Sequence, residues 1–457
     1  MQSFRPQVIC RKLITLRRTL ALALALGLVG LGASPALAVP AFAVQTGQAC
    51  QACHVGGFGP QLTRFGREFK LRGYTMRAVS FNTPLSIAAI ASYAQTQKSP
   101  AAPPAADFGA NNNFALDQIN LFVAGGLGSH LGGFIQATYD GIAKAFTWDN
   151  LDIRATTTTQ IKGADVVLGA SLNNAPTVDD VWNTLPAWGY PYTSSGLTPS
   201  PAATPLLSGP LFQNTLGLTG YAWINSEIYL EGGAYGSPGA QTLTRLGADP
   251  FSPGNIRNLA PYGRIAYQKT FGAQNVQVGA FGMKADIYPG RDESAGTTDR
   301  YTDLGLDASY QLTRANSDIV TVNARYLNER QALNASYALG LAANPRDTLV
   351  DLRANAAYYW RNRIGGTIQA FQTTGSADPV LYAANRALKP DSSGLMFQID
   401  ATPWGAGASP LGPRFNMRVG VQYTLYAKFD GAGSNYDGAG SNAADNNTLR
   451  VFTWFAY

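Results

Sequence analysis

Cysteine, histidine and charge are the scarcest commodities in this sequence. Its 457 residues include three cysteines, two histidines and five methionines, and only 14% are charged, against about 25% in a typical globular chain. Three cysteines exclude a disulfide scaffold. Two histidines, His54 and His130, all but exclude His-based catalysis, and there is no phosphate-binding loop, dinucleotide fingerprint, H-E-x-x-H or nucleophile elbow. Beyond the N-terminus no stretch approaches the roughly 20 apolar residues of a membrane-spanning helix, which excludes a helical membrane bundle. Disorder is excluded by the 46% hydrophobic content and the small net charge. What is present instead is glycine (49), tyrosine (22) and phenylalanine (21), the mixture of a transmembrane β-barrel.

The net charge of +6 is a property of one end. Arg5, Arg11, Lys12, Arg17 and Arg18 lie before residue 20, no acid falls among the first 38 residues, and the remainder carries only +1. The charge therefore gives no ground for a nucleic-acid partner. Residues 1–38 read as a secretory signal peptide. A basic region ends near Arg18, an apolar region runs from Leu20 to about Leu31, and Ala36-Leu37-Ala38 is a small-residue cleavage site, with Ala41-Phe42-Ala43 as a second. Cys10 leaves with this segment, so the mature chain holds only Cys50 and Cys53.

Those two cysteines stand in Cys50-Gln51-Ala52-Cys53-His54, the C-x-x-C-H pattern of c-type haem attachment. Two thiols at this spacing reach the two vinyl groups of one porphyrin, and the adjacent imidazole is delivered beneath the ring. A zinc site needs more Cys or His nearby, and a redox dithiol needs a βαβ context that is missing. The sequence therefore predicts one covalent haem c held by Cys50, Cys53 and His54. Met76 is the favoured sixth ligand, because Met283, Met396 and Met417 fall in predicted strands and His130 in a predicted turn. The alternative is that Met76 packs on the ring edge, with iron five-coordinate or bound by another group.

Between these ligands, Pro60 suits a helix start and Gly73 a helix end, with Leu62, Phe65 and Phe69 as one apolar stripe. That stripe would cover a haem face or pack on a barrel wall. Arg64, Arg67, Lys70 and Arg72 would pair haem propionates or form a solvated face.

From about residue 84 the pattern changes to period two. In 414–429, Phe415, Met417, Val419, Val421, Tyr423, Leu425, Ala427 and Phe429 share one face, while Arg414, Asn416, Arg418, Gln422 and Lys428 lie on the other. About 16 such strands are predicted, near 84–97, 113–127, 131–143, 147–160, 163–172, 212–222, 224–236, 258–271, 273–287, 297–313, 316–330, 346–361, 363–375, 391–403, 412–428 and 447–457. Long connections follow odd strands, the third excepted, and tight ones follow even strands, apart from a modest one near 403–411. This is the rhythm of external loops and periplasmic turns. The chain ends on a strand with Leu449, Val451, Thr453, Phe455 and Tyr457 on one face. The fold class read here is all-β, a transmembrane antiparallel β-barrel of about 16 strands over 84–457, preceded by a short α-helical monohaem c-type cytochrome segment over 39–83. Its expected place is the outer membrane of a Gram-negative bacterium, in contact with outer-membrane lipid.

Two loops stand out. Residues 173–211 are rich in aromatics and proline, which suggests a loop folded back into the lumen. Residues 430–442 repeat Asp-Gly-Ala-Gly-Ser-Asn, a solvated loop or an oxygen-rich cation site. The seven residues 77–83 span at most about 25 Å, which places the haem in the lumen or at its periplasmic mouth.

The run from Val39 to Met76, VPAFAVQTGQACQACHVGGFGPQLTRFGREFKLRGYTM, resembles the fused outer-membrane monohaem cytochrome c–porin family, which includes bacterial Fe(II) oxidases. The resemblance implies haem on Cys50, Cys53 and His54. It also implies single-electron transfer between an extracellular donor, Fe(II) among the candidates, and a periplasmic electron carrier. The rival reading is a diffusion porin whose haem segment is a plug or sensor, with Arg325, Arg353, Arg414, Arg418 and Lys428 as a channel-facing cationic row.

Overall fold

Alternating side chains close this chain on itself. In the computed structural model, which describes residues 40–78, 84–407, 409–411 and 414–457, seventeen strands form one closed antiparallel sheet. They are β1 (Leu85–Thr96), β2 (Asn113–Leu127), β3 (Leu131–Asp140), β4 (Ala145–Ile161), β5 (Ala164–Asn173), β6 (Leu216–Ile224), β7 (Ile228–Gly236), β8 (Gly254–Ile256), β9 (Ala260–Phe271) and β10 (Gln274–Pro289). The remainder are β11 (Asp299–Thr313), β12 (Ile319–Ala332), β13 (Arg346–Trp360), β14 (Ile364–Gly375), β15 (Ser392–Ala401), β16 (Asn416–Lys428) and β17 (Thr448–Ala456). Each strand pairs with the next, and β17 returns to β1 with Ile90 opposite Trp454. β8 and β9 occupy one position, since both pair with β10, Ile256 opposite Ile287 and Tyr262 opposite Met283. The barrel thus has 16 positions, and the break at 257–259 is where the expected single strand divides. The predicted signal peptide lies outside the described residues.

The faces are inverted relative to a soluble β-protein. On β11, Leu304 and Leu306 are 59% and 60% exposed while Asp303 between strands of the lumen is 1% exposed. On β16, Val421 and Tyr423 face out while Arg418 and Gln422 are buried. An apolar exterior over a polar interior is stable only where lipid replaces water, so the barrel is an outer-membrane β-barrel. Short turns at one end and long loops at the other put both the start of β1 and the end of β17 on the periplasmic side.

The lumen is filled from both ends. From the periplasmic side enters the segment 40–78, carrying α1 (Pro40–Thr46), the single turn α2 (Cys50–Cys53) and α3 (Arg64–Leu71). From the outside, the 174–215 connection turns inward as expected and buries Val178, Val181, Trp182 and Leu185. Lumen-facing charges are consequently dry. Arg154, Arg418 and Arg450 are 0%, 2% and 2% exposed. They are paired, Arg154 to Asp152, Arg418 to Asp400 and Arg450 to Asp117, as a buried charge requires.

Candidate functional site

α3 begins later than Pro60 implies. Thr63 caps it, its hydroxyl accepting from Gly66 N at 3.3 Å, and the left-handed Gly73 (φ +68°) ends it as expected. Residues before the cap are extended instead. Leu62 pairs with His54 in an isolated bridge, with Val55 N donating to Gln61 O and Thr63 N to Cys53 O, both at 2.9 Å. The reason lies far along the chain: Asn183 of the inserted loop accepts from Leu62 N at 2.9 Å and donates to Pro60 O at 3.0 Å, holding that stretch open.

The C-x-x-C-H segment is fastened to the periplasmic end of the wall. Asn362, in the β13–β14 turn, accepts from Gly56 N at 2.6 Å and donates to His54 O at 2.8 Å and Gln51 O at 3.1 Å. Gln51 N donates to Gly405 O at 3.1 Å, and Arg418 Nη1 donates to Phe58 O at 2.7 Å. Further along, Tyr74 donates to Asp152 at 2.7 Å and Tyr221 to Leu71 O at 2.7 Å.

Cys53 and His54 open onto a cavity of about 330 Å³, within the range of ligand sites. Its walls are largely aromatic, from Phe42, Phe58, Phe69, Tyr74, Trp188 and Trp454, and a patch of amides from Gln118, Asn120, Gln136 and Asn150 faces them. Cys50 is fully buried beside Cys53, with the Asn416 side chain on its thiol. The two cysteines form no disulfide.

Burial sets the protonation states. It pushes both thiols up to about 12, the opposite of the depressed pKa that an attacking redox thiolate needs. It pushes His54 down to about 4, so the imidazole is neutral at physiological pH, and its Nδ1 is buried without a hydrogen-bond partner. Among the described residues no three His, Cys, Asp or Glu side chains group together. Two thiols on one turn, of which Cys53 reaches the cavity, with a neutral histidine and aromatic walls beside it, are a donor set that fits a covalently held haem.

Of the other predicted residues, Leu62 and Phe69 of the stripe line the cavity. Met76 is half-buried and lies outside the lining; Gln45 accepts nothing from it but donates to its carbonyl at 2.9 Å and to that of Tyr74 at 2.7 Å. The four basic residues divide. Arg67 and Lys70 are buried struts, Arg67 bonding Asn275 at 3.0 Å and Lys70 the carbonyls of Val178 at 2.6 Å and Asp180 at 2.9 Å. Arg72 pairs with Glu68, and Arg64 is exposed. Lys70 lines the cavity over the Trp188 ring, and burial lowers it to about 8 despite the neighbouring Asp152. Among the described residues, three members of the predicted channel-facing cationic row are engaged by carboxylates, while Arg414 and Lys428 have none within ion-pair distance. Arg325 of β12 and Arg353 of β13 share Asp351 of β13, and Arg418 holds Asp400 of the neighbouring β15.

Taken together, the fold defines an outer-membrane barrel of porin type whose lumen holds an N-terminal plug. No protein-family model and no curated protein sequence matches the chain. Among solved structures the barrel is similar to OmpT, an outer-membrane protein of Vibrio cholerae, with 8% identity and a TM-score of 0.42 over 82% of this chain and 96% of that one. It is likewise similar to an anion-selective porin from Comamonas acidovorans, with 11% identity and a TM-score of 0.43 over 82% and 98%. The outer-membrane channel DcaP of Acinetobacter baumannii has 10% identity and a TM-score of 0.40 over 82% and 96%.

Proposed function

We propose that the protein is an outer-membrane electron carrier, with one haem c attached through Cys50 and Cys53 and ligated by His54, that passes single electrons between an extracellular donor and a periplasmic carrier. The observation that carries this reading is the placement of the C-x-x-C-H turn inside the barrel, on the wall of an aromatic cavity. When bound there, a haem supplies a one-electron iron couple. The chain's own residues do the rest. Asn362 and Gly405 fix the turn that carries both thiols, and Arg418 fixes the next residues through Phe58 O. The neutral His54 offers a lone pair without first losing a proton. The aromatic walls and the inserted loop keep water from the site, which lowers the local dielectric and favours the less charged state of any redox centre. Fe(II) is one candidate donor, because the family that the haem segment resembles includes Fe(II) oxidases.

The barrel architecture equally suits a diffusion porin whose haem segment is a plug or sensor; the packing of the lumen bears only on whether the channel is open. An open aqueous channel leaves its lining charges wet, whereas Arg154, Arg418 and Arg450 are dry and paired. The test is to purify the mature protein from cells with c-type haem maturation, stain for covalent haem, and measure solute flux in liposomes. Covalent haem with flux near that of empty liposomes supports electron carriage. Absence of haem with porin-like flux supports the channel.

A further inference from the structure

The periplasmic face around the C-x-x-C-H turn is cationic. Lys162, Arg314, Arg361, Arg363 and Arg414 sit in or beside the short turns, against Glu227, Asp318 and the exposed Asp165 at the start of β5. These three acids offset only part of the charge, Asp318 acting on Arg314 of its own turn. Glu227 is paired with Lys269, and Asp318 is buried under Arg361 N and the Tyr358 hydroxyl. Arg77 of the plug, on the same side, is exposed as well. Among the described residues no carboxylate lies within ion-pair distance of Arg77, Lys162, Arg314, Arg361, Arg363 or Arg414. The external loops differ. There acids balance bases, with Asp107 on Lys144 and Asp445 on Lys98.

The position of these cations ties them to the site. Arg361 and Arg363 flank Asn362, the residue that holds the carbonyls of Gln51 and His54. Arg414 precedes Asn416, which donates to Gly57 O. The shortest path from the haem-binding turn to the periplasm therefore ends among arginines. Arg363 is held by Pro403 O, while Arg314 and Arg361 are exposed, the Arg361 guanidinium lying 4.8 Å over the Trp360 ring.

We infer that this face is a docking surface for a soluble periplasmic electron carrier with an acidic face, brought by charge attraction to the turn that carries His54. The inference rests on the electron-transfer reading and adds the partner's chemistry to it. Opposite charge steers encounter and raises association rates by 10- to 1,000-fold, an advantage that salt removes.

The test uses the haem-loaded, detergent-purified protein, reduced and mixed in stopped flow with one of two probes: an acidic plastocyanin or a basic mitochondrial cytochrome c. At low ionic strength the acidic probe should oxidise the haem at least about 10-fold faster than the basic one, with the gap closing as salt is raised. The triple substitution Arg314→Glu, Arg361→Glu, Arg414→Glu should reverse the preference, while oxidation by a small neutral quinone stays unchanged. Equal rates with the two probes, or a triple variant that behaves as wild type, overturn the docking inference alone. So does a triple variant that keeps its probe preference but loses binding to phosphatidylglycerol vesicles, which would assign the arginines to lipid headgroups. A purified protein without haem overturns the electron-transfer reading, and docking with it.

Discussion

Replacing Gly66 with alanine sets two effects against each other, and their balance tests how the plug is built. Gly66 lies within α3, and by helix propensity alone alanine stabilises such a position by about 1 kcal/mol. The packing says the reverse. A Cβ at Gly66 would sit 2.2 Å from Cys53 O and 3.0 Å from Cys53 C, so α3 and the C-x-x-C-H turn touch backbone to backbone. Cys53 O cannot simply yield, because it accepts from Thr63 N at 2.9 Å. The Thr63 hydroxyl donates to Ala52 O as a second tie across the same contact. Separating the two segments loses hydrogen bonds worth about 1 kcal/mol each and adds overpacking of about 1–3 kcal/mol. After the propensity gain, a net loss of about 2–4 kcal/mol in plug docking is expected. The barrel ladder is untouched, so heat-modifiable migration on gels should persist. Proteolysis within residues 40–78 of the folded protein should accelerate by roughly 30- to 900-fold where it tracks the open population. Gly232→Ala is the matched control, since nothing lies within 4 Å of its Cβ position. A Gly66→Ala protein protected as well as wild type, or better, would refute the close-approach argument.

Three further outcomes follow from the same geometry. Cys53→Ala should abolish covalent haem staining while leaving the barrel folded, read by gel and by mass. Met76→Ala should leave the visible spectrum unchanged, because Met76 is outside the cavity wall; loss of a Met–iron charge-transfer band would assign it as the ligand. Plug protection should rise with pH between about 8 and 9, at up to about 1.4 kcal/mol per pH unit. Folded Lys70 sheds its proton near 8, well before the unfolded chain does, so the unfolded state binds more protons in that window. The measurement is protease protection across that range, and Lys70→Met should flatten the slope.

The barrel was legible because its signal is local. Period two in 414–429 needs no knowledge of the neighbouring strand, and the long–short rhythm of connections is counted along the chain. The C-x-x-C-H turn was legible for the same reason. What escaped was anything set by distant partners. The helix expected from Pro60 starts at Arg64 because Asn183 holds Pro60 and Leu62 in extended form. Arg325, Arg353 and Arg418 face inward as the alternation implies, yet their neutralisation by Asp351 and Asp400 depends on strand register. Lys70 and Arg67 carry no sequence mark of their burial, which comes from the inserted loop and from β10. Asn362, which fastens the C-x-x-C-H turn, lies in an Arg-Asn-Arg turn with no motif to announce it.

The central claim is that electrons reach a haem within the lumen from outside the cell. The most direct test adds a reductant tethered to a polymer too large to enter the barrel to intact cells and follows the reduced haem band. The account predicts that the band rises in cells carrying the wild-type protein and stays absent in cells carrying Cys53→Ala. A haem band in the wild type that does not respond to the tethered reductant, yet is reduced at once by a small permeant one, would contradict it.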